Sequence, residues 1–144
     1  MAFNELGVQY LKRGDLEKAG EALRSALKIE GDAFEPLMNH GILLVRANKF
    51  SEAEPELRAA LRQKDQSSVG HYYLGRALAY LQRYDEAEPE LITAIKLGGN
   101  EMKEAHRYLA GVYSALGDKQ QRRPNWKPIC ALPQRARTRH RFAN

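Results

Sequence analysis

The sequence repeats itself every 34 residues, and this period constrains the fold more than any other feature of the chain. A period of this length is typical of stacked helical units, in which each unit buries its apolar face against its neighbours. A fourth unit follows the first three and arrives one residue late, which places an extra residue near Gly98 and Gly99. Four positions of the period keep the same residue in three successive units: Gly7, Gly41 and Gly75; Ala19, Ala53 and Ala87; Leu23, Leu57 and Leu91; Ala26, Ala60 and Ala94.

Each unit is predicted to form two helices. Apolar residues such as Leu74, Leu78 and Leu81 recur at helical spacing in the first half of a unit. Turn sequences such as Gly14-Asp15 follow, and the small repeating residues then allow the second helix to approach the first closely. The predicted helices span residues 3–13, 16–29, 35–47, 51–63, 69–81, 85–97 and 102–116.

The starts of two second helices are predicted from capping boxes. Ser51 with Glu54, and Asp85 with Glu88, have the spacing in which each side chain bonds to the other's backbone amide. Pro55 then falls at or just after the first turn, where a missing amide hydrogen costs least.

These repeated residues identify a resemblance to the tetratricopeptide repeat family. The pattern is Leu-Gly-x-x-Tyr, then Ala, a bulky apolar residue and Ala, as in Leu6, Gly7, Tyr10 and Ala19. The chain departs from the family pattern in lacking an early Trp and a closing Pro. The resemblance implies an all-α fold, an α-solenoid of antiparallel helix pairs in a right-handed superhelix. The expected units are residues 2–34, 35–68, 69–102 and a truncated 103–118, followed by an irregular basic tail at 119–144.

The resemblance also implies a concave surface that is lined by the first helices and binds a peptide or a partner helix. Tyr and Arg are enriched at binding hot spots because they combine a large contact area with a polar end. The residues expected in this groove are Met38, Asn39, Arg46, Tyr72, Tyr73, Arg76, Tyr80, Arg107 and Tyr108. The alternative for any one tyrosine is that it packs against the next repeat.

One specialisation of the family is a clamp of Lys and Asn side chains that binds an acidic chain terminus. Asn39 matches one position of that clamp. Asn4 and Val8 stand where the family has Lys and Asn, and Val69 and Tyr73 replace a basic pair. The sequence therefore predicts a groove that does not use this clamp.

Catalytic and cofactor motifs are missing from the sequence. It has no phosphate-binding glycine loop, zinc-protease motif or nucleophile elbow, and its single cysteine is Cys130. We therefore predict a non-enzymatic protein with no cofactor. His71 and His106 occupy equivalent positions in adjacent units, which leaves a metal pair as an alternative to packing or solvated residues. His40 occupies a core position and is expected to be satisfied internally.

The positive charge of the chain belongs to one end. Residues 1–118 hold 15 Lys or Arg and all 18 Asp or Glu, whereas residues 119–144 hold 8 Lys or Arg and no acid. Prolines in this tail oppose a regular helix, so it is either a disordered basic tail or a segment read out of frame. In a shifted frame, the codon across Asn125 and Trp126 can encode only Leu. The codon four places before it can be Ala, and the one four places after it is Leu or Met.

Two other functions remain open at this stage. One is self-association or repeat stacking, favoured by a fourth first helix that lacks its proper partner helix, and the other is the less favoured binding of nucleic acid by the basic tail. No apolar run is long enough to span a membrane, and residues 1–8 do not resemble a secretory signal, so a cytoplasmic location is expected.

The reading-frame hypothesis predicts that a restored frame completes the fourth unit. Its Ala and two bulky apolar residues would cover the side chains of Leu109, Val112 and Leu116, which is worth on the order of several kcal/mol before the entropy cost. Sequencing the source gene and comparing the melting temperatures of both versions tests this. A gene that encodes the present tail, or a restored version that is no more stable, would contradict the hypothesis.

Overall fold

The computed structural model describes residues 2–99 and 102–121, and these residues form helices and short connections. The part of the chain that the structure describes contains no strand, so the all-α prediction is confirmed. The predicted bounds agree with the observed ones to within two residues, except at the end of the last helix. The helices are α1 (Ala2–Arg13), α2 (Leu16–Glu30), α3 (Phe34–Arg46), α4 (Phe50–Gln63), α5 (Ser68–Tyr80), α6 (Tyr84–Gly98) and α7 (Lys103–Gln121).

The helices stack in chain order. Each first helix packs most extensively against the second helix of its own unit, and each second helix packs against the next first helix. The first helices α1, α3, α5 and α7 also contact one another along the stack. Successive first helices are therefore close together, and they form the inner, concave face of an α-solenoid.

The core of each unit is a crossing between a glycine and a leucine. A Cβ added to Gly75 would lie 2.7 Å from Cγ of Leu91 and 3.3 Å from its backbone nitrogen. The same crossing joins Gly41 to Leu57, where a Cβ would lie 2.7 Å from the leucine Cδ2. Leu57 and Leu91 are fully buried, and each contributes about 1.5–3 kcal/mol through burial.

The second helices do not begin with the predicted capping boxes. Helix α4 begins at Phe50 with Lys49 as its N-cap, and no side chain bonds to that cap. Ser51 therefore lies inside the first turn, and Pro55 lies in the second turn, two residues deeper in the helix than expected. Side-chain caps occur at other starts, where Asp15 accepts a bond from the amide of Lys18 at 3.1 Å.

The turns between paired helices adopt the left-handed backbone conformation. Gly14, Asn48 and Gln82 occupy equivalent positions, with φ of 83°, 63° and 62°. The equivalent residue in the fourth unit is Gly117, but there the turn is not formed, because α7 continues to Gln121. In the first three units, the second helix packs its repeated apolar residues against the first helix, and this packing stabilises the turn between them. The residues after Asp118 lack that apolar set, so helix continues where the family pattern predicts a turn.

The sequence predicted an irregular tail from residue 119, but residues 119–121 are helical and end α7. The rest of the basic tail, with its frame hypothesis, lies outside the described residues. The start of α7 agrees with the sequence, since it begins 35 residues after α5 rather than 34. The insertion of one residue before the fourth unit is thus confirmed.

An ion-pair network joins the second helices on the outer face. The Glu54 carboxylate accepts a bond from Nε of Arg58 at 2.9 Å and a second bond from Arg83 of the next unit. Burial raises the pKa of Glu54, but the bonds from Arg83 and Arg58 outweigh it and leave this pKa below its ordinary value of 4.5. A lowered carboxyl pKa stabilises the fold above the unfolded-state value, and this contribution is lost as the pH falls through the lowered value.

The glycine–leucine crossing generates a stability prediction. Gly75→Ala places a methyl group against Leu91, and we expect it to lower the free energy of unfolding by about 1–3 kcal/mol. Gly111→Ala is the matched control, because no atom lies within 4 Å of its added Cβ. That control should raise the free energy of unfolding by about 0.5–1 kcal/mol through helix propensity. Urea unfolding of both variants measures the two effects, and equal effects would contradict the close crossing.

Candidate protein-binding groove

The residues predicted for the groove lie on three first helices. Met38, Asn39 and Arg46 belong to α3, the next four belong to α5, and Arg107 and Tyr108 belong to α7. The structure divides them into a buried residue, two residues that join α3 to α1, and a cluster between α5 and α7.

Met38 is a core residue, and its prediction as a groove residue is wrong. Its side chain is 5% exposed and lies beneath the start of α5. A Cβ on Gly70 would lie 2.6 Å from Cε of Met38 and 2.8 Å from Cδ2 of Leu61. Because Gly70 has no side chain, the Met38 thioether fills this space between the helices.

Asn39 and Arg46 both bond to α1. The Asn39 amide donates to Oδ1 of Asn4 at 2.9 Å, and Nη1 of Arg46 donates to the carbonyl of Leu11 at 2.8 Å. The Leu11 carbonyl is near the end of α1, where carbonyls lack partners within the helix. These side chains therefore join the first two units along the concave face.

A continuous aromatic cluster spans α5 and α7. We use this name for Tyr72, Tyr73, Tyr80 and Tyr108. The ring of Tyr108 lies edge-on to Tyr72 and Tyr80, with centroids 6.0 and 5.9 Å away. Tyr72 also meets Tyr73 at 4.9 Å. Such edge-to-face contacts are favourable beyond the area that they bury.

Phe50 extends the cluster onto the second unit. Its ring stacks on Tyr80 with centroids 4.5 Å apart and an interplanar angle of 4°. The sequence analysis did not assign Phe50 to the groove, because its repeat position is the bulky apolar residue that opens each second helix. Only the packing of α5 against α4 brings it to Tyr80.

Arg76 lies within the aromatic cluster as a cation without an anionic partner. Its guanidinium carbon is 5.5 Å from the centroid of Tyr108 and 6.0 Å from that of Tyr73. Its Nε is buried and has no hydrogen-bond partner. No carboxylate of the described residues forms an ion pair with it, so one donor of a half-buried guanidinium is left unsatisfied.

Tyr72 and Tyr108 stay protonated at neutral pH. Burial raises the pKa of Tyr108 to about 12, and the hydrogen bond with Tyr80, whose hydroxyl is 3.3 Å away, acts in the same direction. Burial also raises the pKa of Tyr72, although the positive charge of Arg76 opposes this. The groove therefore offers neutral hydroxyls and the positive charge of Arg76 to a partner, and Lys103 and Glu104 line one of its ends.

Two hollows flank Arg76 along the groove between α5 and α7. The first has a volume of about 280 Å³ and is lined by Tyr72, Val69 and Met102, among others. The second has a volume of about 240 Å³ and is lined by Tyr80, Tyr108 and Val112, among others. Arg107 lines the rim of the second hollow, where its exposed side chain pairs with Glu104 at 3.2 Å.

His40 and His71 are held by neighbouring side chains and backbone. Nδ1 of His40 lies 2.6 Å from a carboxylate oxygen of Glu56, as expected for an internally satisfied residue. Nδ1 of His71 lies 2.6 Å from Glu90, and its Nε2 lies 2.8 Å from the carbonyl of Asp65. Both ring nitrogens of His71 are thus engaged, and the described residues contain no group of three or more potential metal ligands.

None of the helices in residues 2–99 and 102–121 is both long enough and apolar enough to cross a membrane.

Comparison with known families gives a consistent result along the described chain. A family model for the tetratricopeptide repeat matches residues 38–96 and 72–121, and a second model with the same description matches residues 2–32. None of the curated proteins matches the sequence significantly.

Solved structures with the same fold include several repeat domains. The first TPR of Spaghetti (RPAP3) bound to HSP90 peptide SRMEEVD is 22% identical, with a TM-score of 0.73 over 81% of this chain and 91% of that chain. The Sgt2 TPR domain from Aspergillus fumigatus is 18% identical, with a TM-score of 0.74 over 89% and 86%. MamA AMB-1 is 27% identical, with a TM-score of 0.72 over 92% of this chain and 78% of that chain.

Proposed function

Because the chain belongs to the tetratricopeptide repeat family, we propose that it is a non-enzymatic adaptor whose concave groove binds a peptide or a partner helix. The observation that carries this proposal is the cluster of tyrosines around Arg76 between α5 and α7. Tyr80 is 52% exposed, and Tyr72 and Tyr108 are partly exposed beside it. Aromatic and arginine side chains in such a position are typical of the few residues that dominate an interface.

Peptide binding by structural neighbours supports the same general role. One neighbour is bound to an HSP90 peptide, and another, the second TPR domain of human RPAP3, is in complex with an HSP70 peptide. We do not propose those peptides for this chain. The clamp positions hold Val8, Val69 and Tyr73 instead of the family's polar residues, and the remaining Asn4 is bonded to Asn39 at 2.9 Å.

Tyr80→Ala tests groove binding. It removes an exposed ring from the groove, so we expect it to weaken partner binding about tenfold or more. The matched control is Ile29→Ala, because Ile29 is 67% exposed on α2 but lines neither hollow. Partners are captured from source-cell extract on the full chain and its variants, and the melting temperature of each is recorded. Capture that is lost with Ile29→Ala and retained with Tyr80→Ala would move the site out of the groove.

Self-association is a second candidate function, and a specific observation favours it. Phe3 and Leu6 are 42% and 43% exposed on α1, whereas their counterparts Leu37 and Leu74 are 6% and 1% exposed. The counterparts lie on helices that have a preceding second helix packed against them. We propose that a second copy extends the stack here, with exposed apolar residues of its α7, such as Tyr113, against this face.

Leu6→Glu tests this second candidate. Head-to-tail contacts join copies into rings or filaments as the protein concentration rises, so the sedimentation coefficient of the full chain should rise with concentration, and Leu6→Glu should abolish the rise. Val69→Glu is the control, since Val69 is 42% exposed but lines the groove. A chain that sediments as a monomer at every concentration would contradict self-association.

A further inference from the structure

We infer that the groove between α5 and α7 selects a partner helix with an acidic side chain between two bulky apolar ones, and that Arg76 binds the acidic group. In the partner, the apolar residues stand at positions i and i+7, and the acidic residue stands at i+3 or i+4. This inference rests on the proposed function and specifies the chemistry of the ligand.

The repeat itself shows that packing does not require a cation at position 76. The equivalent residues in the first two units are Val8 and Ile42, which are apolar. Arg76 therefore departs from the pattern of its own repeat in the same unit that carries three of the four tyrosines. A departure of this kind is expected at functional sites rather than in the supporting fold.

The surroundings of Arg76 favour an anionic ligand. Its Nε is buried without a hydrogen-bond partner, and it forms no ion pair with the described residues. A carboxylate can accept two parallel bonds from the guanidinium, including one from Nε, and it would neutralise the half-buried charge. The hydroxyls of Tyr72 and Tyr108 can donate to the same group.

The spacing of the two hollows sets the pattern of apolar residues. Tyr72, Arg76 and Tyr80 stand four residues apart on α5, so each hollow lies about 6 Å from Arg76 along the helix axis. The residues i and i+7 of a partner helix lie about 10 Å apart on one face, with i+3 and i+4 between them. A helix lying along the groove thus places one apolar side chain in each hollow and its acidic residue at Arg76.

The size and lining of the hollows suit single side chains. Their volumes of about 280 and 240 Å³ are at or below the lower limit for pockets that enclose small molecules, about 300 Å³. Val69 and Met102 line one hollow, and Ala79 and Val112 line the other. Aliphatic and aromatic linings of this kind favour Leu, Ile, Met or Phe from the partner.

A carboxylate fits this site better than a phosphate. Arg107 is already paired with Glu104 at 3.2 Å, so Arg76 is the one guanidinium between the hollows that lacks a carboxylate among the described residues. Phosphorylated residues are usually bound by several cations together. An acidic side chain of Asp or Glu is therefore the ligand that we assign, and phosphoserine serves as a comparison.

Selection from a displayed library of random 16-residue peptides tests the inference. The baits are the full chain, Arg76→Gln, Arg76→Lys, Tyr80→Ala and Arg62→Gln, the last being a matched control on an exposed arginine of α4. Enriched peptides are then synthesised with Glu, Gln or phosphoserine at the acidic position. Their dissociation constants are measured by fluorescence anisotropy, and melting temperatures establish that each bait is folded.

The expected result is enrichment of the apolar–acidic–apolar pattern on the full chain and on Arg62→Gln. Replacing Glu by Gln in the peptide should weaken binding about tenfold on these two baits, and by less than twofold on Arg76→Gln. Arg76→Lys should retain only part of the preference, because it loses the planar fork. Tighter binding of the phosphoserine peptide than of the Glu peptide would overturn the carboxylate assignment.

Other outcomes separate this inference from the proposed function. Peptides that bind the full chain, are lost with Tyr80→Ala and show no preference between Glu and Gln would overturn the inference and leave groove binding intact. A selection with no peptide sensitive to Tyr80→Ala would contradict both.

Discussion

The close crossing of a glycine with a leucine in each of the first three units is the contact on which the rest of the structure depends. At Gly41 and Gly75, even one added carbon would lie within 2.7 Å of the facing leucine. This close approach brings the paired helices together and is repeated along these units with little change. Because three successive units use it, their first helices lie side by side, and their free faces form one concave surface that α7 continues. The groove is therefore a consequence of a repeated core contact rather than of any groove residue.

The concave face is used differently along its length. Between α1 and α3, Asn39 bonds to Asn4, and Arg46 bonds to the Leu11 carbonyl, which also accepts from the amide of Gly14, so the polar groups of Asn39 and Arg46 already have partners within the chain. Between α5 and α7, tyrosine rings line the groove, and Arg76 has a donor without a hydrogen-bond partner. The polar groups between α1 and α3 are thus already hydrogen-bonded, whereas Arg76 between α5 and α7 still has a donor available. This difference favours a candidate site between α5 and α7.

Much of the fold could be predicted from the sequence, because the residues that are buried recur with the 34-residue period. Leu91 and its counterparts were predicted in the core from spacing alone, and they are fully buried. The caps of the second helices were predicted less well than the helix bounds, since Lys49 is the N-cap of α4 and no side chain bonds to that cap. Met38 was wrongly assigned to the groove because its position around the helix predicts which way its side chain points but not how deeply it is buried. The space left by Gly70, which has no side chain, allows Met38 to be buried. The stack of Phe50 on Tyr80 depends on how two units pack, which spacing within a unit does not specify.

Arg76 stands at a position where an apolar residue would suit the unbound groove better. A valine or isoleucine there, as in the first two units, would pack against the tyrosine rings and would leave no donor unsatisfied. A half-buried arginine instead leaves a buried donor without a partner, and such a donor costs about 1–3 kcal/mol when nothing accepts from it. The neighbouring rings recover part of that cost through cation–π contacts of about 0.5–2 kcal/mol. The rest of that cost is offset when an anionic group of a partner binds. Arg76 therefore destabilises the unbound groove and, in our proposal, makes the groove selective for an acidic partner.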